Sequence, residues 1–532
     1  MDDDLPTDFE VIVVGTGMVE SIVAAACSRI GKNVLHLDSS DHYGGLWASY
    51  NFDGLQKFIK EVNADPKRQW PVYNLSEKWY IEKESSEPEK NEDKKEGDEN
   101  KTDDSKAETQ KKIWSQANFT AEYRKFNIDM TPKLLFSRGP LVELLISSNI
   151  ARYAEFRCVT RVLTWLNDRL APVPCSRADV FATEAVSIVE KRMLMKMLTS
   201  IVGYNEEEMN NEFKDWNDKT FKEYLTHKGL TPNLIHYVLY AIAGGTDKMP
   251  CLEGVKECKK FLMSLGRYGN TPFLWPMYGS GELPQCFCRL CAVFGGVYCL
   301  NRPIDKVEIK TLDEGKRVVA IQSKSKTLNC NNLVVGIDEC PKEMLPTEPV
   351  ETSDISKAVF ITNGTIMPSE KEPLTLLRFP PLTEEGHAVT VLEVGPATGS
   401  CPKGLFVVYF ITKMVKDAES DLQQYAARIF DFSGDQTAES DKPKCLYSLY
   451  YNVKDTSVPV QSVASEVHVC AGPDVGLDFD RAVEQAEQVF KKICPGEEFL
   501  PRAPDPEEIV FEDDVTHGPE FARHDDEEGD AQ

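Results

Sequence analysis

Gly15-Thr16-Gly17 lies between an apolar, β-branched run, Phe9 to Val14, and a helix-like stretch carrying Val19, Ile22, Val23 and Ala26. A second strand-like run, Asn33 to Leu37, ends at Asp38. This is the spacing of a βαβ unit whose glycine turn seats a pyrophosphate on a helix N-terminus while the carboxylate after the second strand bonds a ribose. The third glycine of such a turn belongs at position 20, and residue 20 is Glu. A carboxylate roughly 4 Å from a bound pyrophosphate costs about 4 kcal/mol at an effective dielectric near 20, about a thousandfold in affinity. Protonating or redirecting Glu20 would reduce that cost. Gly15, Gly17 and Asp38 read as vestiges of a cofactor site that Glu20 argues against using, and no cofactor is expected.

Asp41-His42-Tyr43-Gly44-Gly45 follows, a second flavoprotein-like element, but flavin oxidases continue such a Gly-Gly with arginine and this chain continues with Leu46. The plainer reading makes both glycine pairs tight turns of an ordinary α/β sheet. Three cysteines, Cys286, Cys288 and Cys291, raise a metal hypothesis. On a helix starting near Pro284, however, Cys286 and Cys288 project about 200° apart, and no fourth ligand is evident, so buried thiols are expected and no metal. His36, between two leucines, reads as a satisfied core or edge histidine. Met193, Met195 and Met197 recur at spacing two, which on a helix wraps around rather than lining one groove. Glu282 and Arg289 face the same way if their segment is helical, as a structural ion pair or as a charged recognition pair.

Around these residues the chain of 532, 41% apolar, is long enough for a substantial core and two domains. The formal net charge of −26 disfavours nucleic acid and a polybasic membrane anchor. Fifteen irregularly spaced cysteines suit reduced thiols. With no apolar run of membrane-span length, no signal core at the N-terminus and no prenylation box in the terminal GDAQ, the expected location is cytoplasmic. Residues 82 to 112 are almost wholly charged or polar and read as a disordered acidic insertion; residues 501 to 532 read as an acidic tail. Between them a helix with Leu141, Leu144 and Leu145 and a strand-like stretch, Ala154 to Leu163, continue a sheet domain. Ser176 to Asp179 has the form of a capping box ahead of a helix with Val186, Val189, Met193 and Met197. Short β-branched runs resume from Val297 to Ser323, with a turn at Asp313 to Lys316, and a strand-and-helix pair spans 467 to 490. The fold expected is α/β: a flavoprotein-like sheet domain, residues 1–174 plus 269–500, into which a smaller all-helical domain, 175–268, is inserted.

The block LGRYGNTPFLWPMYGSGELPQCFCRLCAVFGGVYCLNRP, residues 265 to 303, is too rich in Gly, Pro and aromatic residues for a routine element, and such segments concentrate binding surface. Together with GTGMVESIVAAACSRIGKNVLHLD and the YGG at 43 to 45, it closely resembles the superfamily of Rab GDP-dissociation inhibitors and Rab escort proteins. The resemblance covers most of the chain outside 82 to 112 and the tail. It implies a flavoprotein-like domain without flavin and a smaller helical domain. Within the superfamily, VPCSRADVFATEAVSIVEKRMLMKML, residues 173 to 198, looks like the escort branch, whose members dock the α/β heterodimer of Rab geranylgeranyltransferase there.

By that likeness Phe181 is an aromatic plug for the transferase α subunit and Arg192 its charged neighbour. Their separation is about three helical turns. The Rab-binding residues carried over are Tyr43, Glu282, Arg289, Val297 and Cys299, with Arg267 and Phe273 on an adjoining mobile loop. Phe273 stands where dissociation inhibitors typically have Tyr, and Cys299 replaces a larger, Met-like side chain. The function implied is non-catalytic: binding new Rab in its GDP form, presenting it for prenylation, shielding the geranylgeranyl groups, and delivering Rab in transient contact with membranes. The alternatives are a dissociation inhibitor without transferase binding and a flavin-dependent oxidase. The purified protein is expected to be colourless; a flavin absorbance band in the blue would select the oxidase.

Overall fold

In this computed structural model the described residues are 5–65, 70–84, 112–175, 179, 187–205, 213–311, 317–346 and 353–502. Val11 and Val13 face one core and Ile12 and Val14 another, so the strand Asp8–Val14 is buried on both sides. A strand of that kind belongs at the centre of a parallel sheet. It pairs in parallel with Val34–Leu37 on one side and Lys326–Gly336 on the other. Val297–Cys299 extends the sheet beyond Val34–Leu37, and Val467–Cys470 pairs in parallel with Lys326–Gly336. Arg317–Ser323 and Lys306–Thr311 complete the seven strands as antiparallel neighbours. The helices Met18–Arg29, Pro140–Ser147, Glu282–Val293 and Asp480–Ile493 share one core on a single face of this sheet.

An eight-stranded sheet follows the order Val72–Trp79, Cys445–Val453, Ile355–Thr362, Phe406–Lys413, Val389–Val394, Thr375–Phe379, Arg161–Leu166 and Arg169–Pro172. Its pairs are antiparallel except that between Arg161–Leu166 and Thr375–Phe379. Leu234, Val238, Leu239 and Ile242 share a core with Leu376 and Leu392 of this sheet. Residues 236–242 form a π-helical turn there, tied down by His236 Nε2 and Thr164 Oγ1 at 2.9 Å. Described residues 187–264 hold helices and no sheet strand.

Two sequence expectations are corrected, the single strand at Ala154 to Leu163 and the inward place of Val189, and several others lie outside the described residues. The strand-like stretch Ala154 to Leu163 is two strands in two sheets. Phe156–Cys158 pairs with Phe273–Pro276, whereas Arg161–Leu166 joins the large sheet. The chain crosses at Val159 and Thr160, whose N–H groups donate to Phe273 O at 3.0 Å and Leu374 O at 2.8 Å. The capping box at Ser176 to Asp179 falls largely outside the described residues, as do Val186, the turn at 313 to 316, residues 85–111 of the insertion and 503–532 of the tail. The described helix, Ile188–Val202, begins under a different box, in which Glu190 N donates to Ser187 Oγ and Ser187 N to Glu190 Oε2. Its buried stripe is Leu194, Met197 and Ile201, and Val189 is exposed.

The insertion's two ends lie side by side: Gln116 N donates to Glu82 O at 2.9 Å and Ala117 N to Lys83 O at 3.2 Å. Gln436 clamps the returning chain, accepting from Trp114 N and donating to Trp114 O. Replacing residues 85–111 by a short Gly-Ser linker is therefore expected to change unfolding free energy by less than about 1 kcal/mol in urea titration, because closure entropy depends only weakly on loop length. A larger loss would mean that the segment stabilises the fold.

Candidate functional site

The glycine turn after the first strand is filled by Glu20. Its carboxyl is so placed that a Cβ on Gly17 would lie 2.5 Å from Oε2, and one on Gly336 only 2.4 Å from Oε1. The acid is 7% exposed, and burial pushes its pKa up to about 8, with Asp338, Asp38 and Glu339 adding repulsion. Asp38 is also spent internally: Thr16 N donates to it at 2.9 Å, Thr16 Oγ1 at 2.5 Å and Ser40 N at 2.7 Å. A cradle that a neutral acid occupies and a ribose position whose carboxylate already accepts three internal hydrogen bonds do not fit a dinucleotide cofactor. Among the described residues no three His, Cys, Asp or Glu side chains converge as a metal site.

From Asp38 the chain runs to Tyr43 and turns at Gly44, whose φ of +100° favours glycine and whose N–H donates to Thr16 Oγ1 at 2.8 Å. Tyr43 is half-buried and rests on the Tyr298 ring, centroids 5.5 Å apart; Tyr298 in turn lies 4.9 Å from the His36 ring, its partner in strand register. His36 is buried, and its Nε2 lies 2.6 Å from Gly15 O. Burial lowers its pKa to about 4, so the ring is neutral at pH 7 and Nε2–H donates. Sequence reasoning passes over Tyr298 in the support of Tyr43, although strand alternation turns it away from Val297 and Cys299. Those two are half-exposed and rest against the core on the opposite face of the sheet.

Glu282 and Arg289 both lie on the helix Glu282–Val293, and among the ion pairs of the described residues none joins them. Glu282 is half-buried, which raises its pKa, while exposed Arg289 places Cζ 4.6 Å from the centre of the Tyr153 ring. The cysteines of this helix face inward. Cys288 Sγ meets Ser21 Oγ at 3.2 Å and Cys291 Sγ meets Ser28 Oγ at 3.0 Å, joining the helix to Met18–Arg29. Gly296 lets the chain turn back, since a Cβ there would fall 2.3 Å from Cys291 Sγ.

The loop expectation is corrected for Phe273, while Arg267 lies in the loop between the helix Cys251–Ser264 and the strand Phe273–Pro276. Arg267 is tethered to the helix Pro140–Ser147, donating to Ser137 O at 2.8 Å and pairing with Glu143. Phe273 is a strand residue 2% exposed, packed on Phe136 and Phe261, and offers no free surface. Phe181 lies outside the described residues. Arg192 is exposed one turn beyond Ile188 and Val189, which are 71% and 66% exposed. Two bare β-branched side chains beside a cation, at the start of an otherwise seated helix, have the composition of a docking patch.

The fold and the occupied cradle define a flavoprotein-like scaffold turned to a use other than dinucleotide chemistry. The chain matches the family described as GDI: GDP dissociation inhibitor over residues 1–81 and 107–500, and it belongs to that family. It is 38% identical to Rab proteins geranylgeranyltransferase component A of Drosophila melanogaster, over 96% of this chain and 93% of that one. Component A 1 of Rattus norvegicus is 35% identical, over 97% and 95%. Guanosine nucleotide diphosphate dissociation inhibitor 2 of Arabidopsis thaliana is 27% identical, over 78% and 81%. Among solved structures, a Rab GDI of Plasmodium falciparum superposes with TM-score 0.64 at 18% identity, covering 93% of this chain and 100% of that one. An oxidoreductase of Methanosarcina mazei superposes with TM-score 0.55 at 12% identity, covering 91% and 100%. These two likenesses concern the fold, and they agree with a flavoprotein-like sheet.

Glu20 carries a pH signature. Its carboxyl stays protonated in the folded chain up to about pH 8 and ionises in the unfolded chain near the ordinary value of 4.5. Between those values the unfolded state binds fewer protons, so stability falls as pH rises, by at most about 1.4 kcal/mol per unit. Glu20→Gln is expected to lose this slope and to be more stable than the parent at pH 7.5 by on the order of 4 kcal/mol in urea titration. Parallel pH profiles for the two proteins would mean that Glu20 is ionised in the fold.

Proposed function

We propose that this chain is a Rab escort protein, the non-catalytic component A of Rab geranylgeranyltransferase. The observation that carries the reading is the near-full-length similarity to proteins of that name at 35% and 38% identity, against 27% over a shorter span for a dissociation inhibitor. It binds newly made Rab in its GDP form, presents the Rab C-terminal cysteines to the transferase α/β heterodimer and carries prenylated Rab to membranes. Its contribution is positioning: two proteins held on one surface react at a raised effective concentration. A geranylgeranyl chain has a burial energy on the order of 10 kcal/mol, which makes an apolar shelter in the carrier essential in water.

Tyr43, Glu282 and Arg289 supply the Rab contact, with Tyr43 giving an amphipathic anchor and the two charges fixing orientation. Val297 and Cys299 border it on the sheet edge, and Arg267 acts by holding its loop to the helix Pro140–Ser147. Phe273 contributes from the core beneath. Phe181 and Arg192 dock the transferase, and exposed Ile188 and Val189 beside Arg192 support that use. Residues 1–174 plus 269–500 form the Rab-binding unit and 175–268 the helical unit, a division supported by the absence of sheet strands among described residues 187–264. The location is cytosolic with transient membrane contact. No helix among the described residues is long and apolar enough to cross a membrane.

Geranylgeranyl transfer to a purified Rab–GDP tests this reading. The transferase heterodimer alone is expected to be inactive and the wild-type chain to restore transfer. Phe181→Ala and Arg192→Glu should each weaken transferase binding at least about tenfold while leaving Rab affinity unchanged, the loss typical of a hot-spot residue. A chain that binds Rab but never supports transfer is a dissociation inhibitor.

A further inference from the structure

We infer that Tyr298, backed by His36, is a positioning residue that sets Tyr43 for Rab binding; the inference rests on the reading of Tyr43 as a Rab contact. Tyr298 is the one aromatic ring against Tyr43 among the described residues. It is fixed from below by His36, whose ring lies 4.9 Å away and whose Nε2 is anchored on Gly15 O. The helix Glu282–Val293 closes the other side. The Tyr298 hydroxyl is buried without a nitrogen or oxygen partner and neighbours the Cys288 thiol, itself held by Ser21 Oγ at 3.2 Å. Among the described residues no hydrogen bond holds the Tyr43 side chain. The chain turns immediately after it at Gly44, and its ring is only half-buried.

A half-exposed tyrosine without a supporting ring samples several rotamers, and ordering it on binding weakens the complex. Tyr298 lowers that loss by holding the ring in place beforehand. Its edge strand, Val297–Cys299, is pinned by parallel pairing to Val34–Leu37, so the support moves with the sheet rather than with the loop that carries Tyr43. The stack thus runs from the vestigial cofactor turn, through His36 and Tyr298, to the docking face.

A double-mutant cycle separates positioning from bulk stability. Affinity for a purified Rab carrying a fluorescent GDP analogue is measured for wild type, Tyr43→Ala, Tyr298→Leu, Tyr298→Phe and Tyr43→Ala/Tyr298→Leu, each with its melting temperature. Tyr298→Leu is expected to weaken binding about three- to tenfold, the penalty of one newly mobile side chain. Tyr298→Phe, which keeps the ring, should stay within about twofold of wild type. The double variant should bind as Tyr43→Ala does, because Tyr298 acts only through Tyr43. Full additivity, or a Tyr298→Leu affinity equal to wild type, overturns the inference while leaving Tyr43 as a contact. An unweakened Tyr43→Ala overturns the contact itself and the inference with it. Should Tyr298→Leu fail to fold, Tyr298→Met, unbranched and adaptable, takes its place in the same cycle.

Discussion

Much of the seven-stranded half depends on an uncharged acid in a space shaped for a phosphate. Glu20 lies against the glycines at 15, 17 and 336, which sit in the turn after the strand Asp8–Val14, at the start of the first helix and at the end of the adjacent parallel strand. A buried ionised carboxylate there would be expensive, and the neutral form turns the same group into filler with hydrogen-bonding capacity. The turn it fills is the one whose Gly15 carbonyl receives His36 and whose Thr16 hydroxyl holds Gly44. A turn that in a dinucleotide enzyme is ordered by its ligand is here ordered by the protein.

Close helix packing is the second constraint. The helices Met18–Arg29 and Glu282–Val293 approach through small side chains, with Ser21 and Ser28 meeting Cys288 and Cys291. A thiol is small, apolar and a weak hydrogen-bond partner, which suits a seam with no space for a leucine. All cysteines except Cys158 and Cys299 are buried, and burial raises the pKa of Cys286 and Cys291 to about 11 and that of Cys288 to about 12. Their abundance is a packing property of this chain, and it leaves Arg289, outward on the same helix, as that segment's chemical face.

The βαβ unit is legible because both its periods and its turn are local: Val11 to Val14, Gly15 to Gly17 and Asp38 declare themselves within one short stretch. The same locality marks Glu20 as incompatible with a phosphate from its position among the glycines alone. Most of the eight-stranded sheet, from Ile355 to Val453, escapes a reading of the residues, since its strands are buried on both faces and carry little alternation; strand Ile355–Thr362 is buried at every position. Phe273 is misassigned because a Gly- and Pro-rich neighbourhood reads as loop, whereas pairing with Leu135–Phe136 and Phe156–Cys158, distant in sequence, makes it strand. Arg267 does lie in a loop, and what its neighbours in sequence could not show is the tether to Glu143, a tertiary contact with no local signal. Tyr298 gives no sign of its role as a support because the stack on His36 joins residues far apart in the chain.

The abutting ends of the insertion bear on how this family varies. The alignment with the rat component A 1 runs to 632 positions although this chain has 532 residues, so large stretches exist in one protein and not the other. Where Glu82 and Lys83 are already bonded to Gln116 and Ala117, chain can be added or lost between them without moving either neighbour. Each doubling of such a loop adds only about 0.6 kcal/mol of closure entropy. The length and charge of this segment can therefore change almost independently of the packed sheets on which its two ends close.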